Sequence, residues 1–393
     1  MRSCLYKEKK TVKILLVDQI AKVAYKYTYS LANALQEQGV DVHLAIDQKK
    51  ESENCACNRI NLFNTDEKNI GKLKKLCNYL SSLRKIRKMM KGYDVLHTQW
   101  IIFSPVDYIF FRRIKKMNKR IVITIHDILP FNKKFYDYYF HKKIYELADE
   151  IILQTEENVE RFHKMFPENT VQIQMIPHGH FMEYAKEYDR IKSRKKLDIA
   201  EEKFVYLFFG QIKKVKGVDV LLRAYAEFLR VNPIRKQDTL LIIAGNTWKE
   251  DSKKYYDLVE QEHIKDQVKL EIRYIPDDEV DYYYSAADVC VLPYRNVYQS
   301  GVLQLTYAHH RVPIVTDINA FTDIVNSEVG FVCKVNDEKA LAEAMLCAYN
   351  KRLELQNMAE KGYMDIEQRF AWDKIAEKVK DIYTEVTKDV KEN

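Results

Sequence analysis

The apolar run Phe204–Phe209 stops at Gly210, passes through Gln211-Ile212-Lys213-Lys214-Val215-Lys216 and meets Gly217. The helical pattern Val218-Asp219-Val220-Leu221-Leu222-Arg223-Ala224-Tyr225 follows directly. Few folds accommodate this order. The helix must cover the strand before it, which makes half of a parallel crossover. Backbone N–H groups at the helix start then converge with the ammoniums of Lys213 and Lys216 where an anion would sit. A second turn of the same kind follows further along. Val289-Cys290-Val291-Leu292-Pro293-Tyr294 reads as a buried strand, and Tyr298-Gln299-Ser300-Gly301 opens a helix expected over residues 302–309. Ser300, Gly301 and Val302 offer N–H groups there, and the Ser300 hydroxyl suits an N-cap. Two such turns at strand carboxyl ends predict a diphosphate held in the crevice of an open parallel sheet.

The alternation runs through the whole chain. Apolar runs at 12–18, 40–46, 95–98, 121–125, 150–154 and 171–176, then at 205–209, 240–244, 268–272, 289–292 and 314–316, are separated by helical patterns. This predicts an α/β protein built on doubly wound, Rossmann-like sheets. A chain of 393 residues exceeds what one core supports. Two domains are expected, over 1–185 and 186–370, with the boundary in the irregular charged segment 183–202. The first helix is expected over 28–38, closed by Gly39, after a glycine-poor loop at 18–25.

The net charge of +7 is uneven, at +10 over residues 1–190 and −3 over 191–393. The first half therefore faces something anionic. No recognised nucleic-acid motif or cluster of stacking aromatics is present, so a membrane surface or phospholipid-linked acceptor is expected rather than nucleic acid. A basic amphipathic helix at 72–91 either lies on such a surface or packs its apolar stripe on the sheet. The seven cysteines are scattered, and Cys55-Ala56-Cys57 fits neither a zinc pair nor a redox motif, so free thiols are expected. No apolar run has signal-peptide or membrane-span length, which predicts a cytoplasmic protein. The tyrosine clusters at 136–139 and 282–284 are expected on helix surfaces and in interdomain packing.

The segments Phe209 to Ala224, Leu241-Ile242-Ile243-Ala244-Gly245, Ala287 to Thr316 and Gly330-Phe331-Val332 resemble the nucleotide-sugar glycosyltransferases of family 4. Echoes in the first half are Tyr93-Asp94-Val95-Leu96-His97, Val122-Ile123-Thr124-Ile125-His126-Asp127 and Ile176-Pro177-His178-Gly179. The resemblance implies a GT-B fold, two Rossmann-like domains facing a cleft. The second domain binds the nucleotide-diphosphate sugar, the first binds a glycan or lipid-linked acceptor, and a last helix at 371–393 returns to the first domain. It implies transfer with retention, a leaving phosphate that takes the acceptor proton, and no bound metal. It makes His126 and Lys216 the catalytic candidates. Gly210, Lys213, Lys216, Ser300, Gly301, Val302 and Thr306 become the donor-binding candidates.

The chain departs from the family at three places. Gln211 stands where an arginine is usual, and Lys213 either takes over its charge or is solvated; Lys214 is expected in solvent. Tyr298 and Thr306 stand where two glutamates are usual, so a charge-assisted donor contact is lost. Thr306 could still reach a ribose hydroxyl, with Gln304 as a polar neighbour. The loop at 18–25 lacks the usual glycines. A catalytically silent subunit supporting a partner transferase would explain the missing glutamates; a GT-B epimerase or phosphorylase would need acid–base residues or a cofactor lysine that the sequence does not offer. Of the other histidines, His97 reads as a buried core residue, His178 as a hinge residue, and His309 and His310 as partners of a helix C-terminus.

Overall fold

Successive residues of β1 (Lys13–Val17) enter different cores: Leu15 and Val17 pack on one side of the strand, Ile14 and Leu16 on the other. A strand covered on both faces carries apolar residues throughout, which is why such runs dominate the sequence. The computed structural model describes residues 12–47, 55–63, 71–130, 132–248, 251–297 and 300–388. The chain divides into two units, Met1–Gly179 with Phe370–Asn393, and His180–Arg369.

The first unit holds a seven-stranded parallel sheet in the order β3-β2-β1-β4-β5-β6-β7. Its other strands are β2 (Asp41–Asp47), β3 (Asn58–Phe63), β4 (Val95–Thr98), β5 (Arg120–Thr124), β6 (Glu150–Leu153) and β7 (Gln172–Met175). Helix α1 (Ala21–Glu37) and the C-terminal helix Trp372–Lys388 cover one face through Tyr27, Leu31, Leu35, Ile375, Val379 and Tyr383. Helices α2 (Lys72–Met89) and α3 (Ser104–Lys115) cover the other through Tyr79, Leu83, Ile86, Phe111 and Ile114. Gly179 admits no side chain, since a Cβ there would lie 2.3 Å from the Trp372 indole.

Three expectations change here. Helix α1 begins at Ala21, so the loop after β1 is only three residues long, Asp18 to Ile20. Ile20 supplies no side-chain cap. Instead the buried Asp18 carboxylate accepts from the Ile20 N–H at 3.0 Å and the Thr28 hydroxyl at 2.7 Å, which ties the helix start to the strand end. The edge strand β3 was absent from the sequence reading because its alternate residues are polar or half exposed. Helix α2 ends at Met89, and a 3₁₀ turn, Met90–Gly92, leads into β4.

The second unit holds a six-stranded parallel sheet in the order β10-β9-β8-β11-β12-β13. The strands are β8 (Phe204–Phe209), β9 (Thr239–Ala244), β10 (Val268–Glu271), β11 (Val289–Leu292), β12 (Val312–Thr316) and β13 (Phe331–Cys333). In both sheets the order reverses beside the first strand, and crevices at such points receive ligands. Tyr283 and Tyr284 are buried against elements of this unit, both beside Phe209 and Tyr284 on His309, and Tyr282 stacks on Tyr188 with ring centroids 4.3 Å apart.

A buried arginine fastens the entry helix Arg190–Lys196 to the sheet. Arg194 is fully buried and donates to the carbonyls of Ala286, Glu201 and Lys203 and to the Asp288 carboxylate. Asp288 also accepts from the Val205 N–H and from Arg190. Arg194→Ala leaves three carbonyls without their donor and takes from Asp288 one of its two arginine partners, so it should lower the stability of this unit by about 3–5 kcal/mol. Urea unfolding measures this, and a loss no greater than that of a surface pair, about 1 kcal/mol or less, would contradict the role.

Candidate functional site

Two glycines set the path of the first turn. Gly210 continues from β8 with φ +119° and Gly245 follows β9 with φ +145°; a Cβ on Gly245 would lie 1.9 Å from the Gly210 carbonyl oxygen. The strand ends therefore approach more closely than any side chain permits. The Gly210 N–H donates to Ala244 and the Ile212 N–H to Asn246, which extends the pairing into the turn.

Lys214–Lys216 form a 3₁₀ turn ahead of the helix Val218–Val231, and Gly217 stands at the N-cap with φ +66°. A Cβ on Gly217 would lie 2.0 Å from the Pro293 carbonyl oxygen. The lysine turn is thus seated on the segment leaving β11. Arg295 locks it there. Its backbone N–H donates to Val215 at 2.7 Å, its guanidinium to the Lys214 carbonyl at 2.6 Å, and its fork to both Asp219 oxygens at 2.8 Å. Burial alone would raise the Asp219 carboxyl, but the Arg295 bonds and charge outweigh it and hold the group below the usual carboxylate range.

Lys216 lies with Nζ 3.6 Å from the centroid of the Tyr294 ring, a cation–π seat. Burial brings its ammonium down to about 7, with the nearby Lys213 charge adding to the effect. Lys213 reaches within 5.3 Å of the Trp248 ring centroid, and Lys214 is exposed.

The buried Tyr294 links this turn to the second. Burial pushes its phenol well above the usual range, and a hydrogen bond with Ser300 acts against that. Ser300 caps the helix Gly301–Ala308, accepting from the Leu303 N–H at 3.3 Å. Val302 lies in van der Waals reach of Gly210, 3.4 Å from the place of a Cβ there, and Gly301 faces Phe181, with a Cβ position 2.9 Å from its ring. The structure therefore brings Gly210, Lys216, Ser300 and Val302 together. Thr306 lies one turn along the same helix; it is fully buried, and its hydroxyl donates to the Val302 carbonyl at 2.8 Å. Tyr298 lies outside the described residues. Tyr294, Arg295 and Asp219 were missed, because their contacts join segments distant in sequence.

In the first unit His126 follows β5. It stacks on Trp100 at 4.7 Å between ring centroids and meets Tyr27 edge-on at 5.2 Å. Its Nε2 lies 2.9 Å from Gln99 Oε1, so Nε2 carries the proton and donates. Burial, and then the neighbouring His178, bring its pKa down to about 3, so the ring is neutral near pH 7. His178 pairs with the Gly179 carbonyl at 2.6 Å. His97 is fully buried between Tyr383 and Thr124, at 2.6 and 2.8 Å, the core position its sequence context indicated. In the second unit the buried His309 stacks on Tyr284 at 4.6 Å with Asp281 3.1 Å away, and His310 stacks on Tyr363 at 4.2 Å.

Two parallel sheets with these turns define a GT-B architecture. The glycosyltransferase of Rickettsia africae superimposes with a TM-score of 0.74 at 16% identity, covering 96% of this chain and 99% of that one. Anabaena HepE in complex with UDP and glucose gives 0.72 at 15% identity, covering 95% and 100%. The family model for glycosyl transferases group 1 matches residues 189–365, and that for glycosyltransferase family 4 matches residues 25–180. The chain belongs to the family 4 glycosyltransferases. A D-inositol 3-phosphate glycosyltransferase of Saccharomonospora viridis is 25% identical over 246 residues, 61% of this chain and 56% of that one. An uncharacterised glycosyltransferase of Methanocaldococcus jannaschii is 25% identical over 202 residues, 50% and 48% of the two chains. The chain thus spans about half the length of these curated relatives.

An anion held at Lys216 would be bound in a pH-dependent way. The Lys216 ammonium attracts an anion, but with a pKa of about 7 it is largely neutral at higher pH and must then take up a proton on binding. Pyrophosphate affinity is expected to fall as pH rises through and above 7, and Lys216→Arg to flatten the profile because guanidinium stays charged. Calorimetry across that range checks this; a flat wild-type profile would contradict it.

Proposed function

We propose that the chain transfers a sugar from a nucleotide-diphosphate sugar to a glycan or lipid-linked acceptor, with retention of anomeric configuration, in the synthesis of bacterial surface polysaccharide or glycoconjugate. The observation that carries this reading is the meeting of both glycine turns on Tyr294, with Lys216 over its ring and Ser300 beside its hydroxyl. A diphosphate there would meet Lys216, Lys213 and the N–H groups at Gly301. A hydrogen bond to a charged group contributes about 1.5–3 kcal/mol, and the helix dipole about 0.3–1 kcal/mol more. These donors are fixed before charge develops on the leaving group, the arrangement that lowers such barriers most. The leaving phosphate takes the acceptor proton in this reading, and no metal ion is used.

His126 would contribute as a neutral hydrogen-bonding group toward the sugar. With a pKa near 3 it does not serve as a general acid at neutral pH. Among the described residues no helix is long and apolar enough to cross a membrane. The proposed place of action is the cytoplasmic side, with peripheral attachment where the acceptor is lipid-linked. One observation favours a silent subunit instead: the Thr306 hydroxyl is already engaged by Val302. Donor hydrolysis by the isolated protein separates the two readings.

Lys216→Ala is expected to abolish most transfer, and most of the thermal stabilisation by nucleoside diphosphates, while leaving the unliganded melting temperature unchanged. A wild-type ligand at a hundred times its Kd stabilises by about 2.7 kcal/mol, which a thermal-shift panel resolves. Transfer within a few-fold of wild type would remove Lys216 from the site.

His126→Ala is expected to lower turnover at least tenfold with little change in affinity for the nucleotide alone, since His126 belongs to the other unit. Calorimetry with the nucleoside diphosphate beside turnover measurements separates these, and equal losses in both would assign His126 a structural role.

A further inference from the structure

Helix α2 does not have a free apolar stripe to lay on a surface. Tyr79, Leu83 and Ile86 are buried against the sheet, and what the helix shows to solvent is mostly charge, with the exposed Leu73 near its start. Beside α3, however, the helix leaves a groove of about 220 Å³. Arg84 and Arg87 of α2 and Arg113 of α3 stand around it, and its floor includes Leu80, Val106 and Ile109. Ile109 is 49% exposed. No carboxylate lines the groove, and among the described residues none of the three guanidiniums takes an ion pair or hydrogen bond.

We propose that this groove seats an anionic phospholipid, its phosphate among Arg84, Arg87 and Arg113 and the start of its acyl chains on Leu80, Val106 and Ile109. Charge complementarity carries the assignment. Three guanidinium forks without acidic partners suit phosphate oxygens, which they can grip in pairs. The apolar floor distinguishes an amphiphile from a free anion, because a hydrated phosphate gains nothing from covering isoleucine and leucine. Each basic side chain near an anionic leaflet contributes about fivefold in affinity; a seated headgroup adds directional bonds that the other lysines of α2 cannot make. The groove would hold the first unit at a membrane whether or not the transfer reading is right.

Co-sedimentation of the full chain with phosphatidylglycerol and phosphatidylcholine vesicles, with no sugar donor present, tests this. Binding to the first and not the second is expected. Arg84→Gln, Arg87→Gln and Arg113→Gln together should weaken it at least tenfold more than the charge-matched control Lys74→Gln, Lys75→Gln and Lys88→Gln. Ile109→Asn, at a half-exposed position, should also weaken it severalfold, with melting temperatures verifying that each variant folds. The proposal is overturned if wild type stays in the supernatant, or if the control variant loses as much as the arginine variant. Loss of vesicle binding to inorganic phosphate at matched ionic strength would mark a free-anion site and overturn it. Unchanged binding by Ile109→Asn would do the same, showing attraction to the vesicle by charge alone.

Discussion

Arg295 governs the geometry of the second unit's candidate site. One side chain and one backbone N–H hold the Lys214–Lys216 turn by two of its carbonyls and by Asp219, and a further bond runs to Asn336. The two lysines of this turn, with Lys213 just before it, would otherwise spread it by their repulsion. Arg295 holds it mechanically, because its fork fixes direction as well as distance, while the negative charge comes from Asp219. Gly217 closes the arrangement from below by resting on the Pro293 carbonyl, a contact that leaves no room for another residue type.

From this follows the environment of Lys216. Its ammonium rests on an aromatic face rather than against a carboxylate, so it stays available to an incoming anion. The desolvation that lowers its proton affinity also strengthens any charge–charge contact it makes. The first unit treats its polar groups differently. Its clustered histidines are neutral and partnered, His97 by Tyr383 and Thr124 and His126 by Gln99.

Much of this was legible in the sequence, because parallel sheets covered on both faces write themselves as apolar runs and glycines mark the turns that need them. The strands around Gly210 and Pro293 and the helices after Gly217 and Ser300 lie where the pattern placed them. The polar edge strand β3 carried no such run, and β13, three residues long, was too short to stand out. The start of α1 was hidden because its cap is a carboxylate on the preceding strand end, two residues before the N-cap. Thr306 exposes a further limit. Its alignment gave a position on a helix, while the direction of its hydroxyl is decided by the Val302 carbonyl four residues earlier, a local bond that threonine commonly makes. Tyr294 and Arg295 bear on the site through contacts distant in sequence, which no local pattern records.

The first unit is assembled from both ends of the chain. Trp372, Ile375, Val379, Ile382 and Tyr383 complete the core beneath α1, while the second unit is continuous from His180 to Arg369. During synthesis the part of this core that Trp372 to Val386 completes therefore waits uncovered until the whole second unit has left the ribosome. Domains ordinarily fold in the order they emerge; here the first unit, begun before the second, can finish only after it, and its unfinished core is the one exposed to aggregation meanwhile.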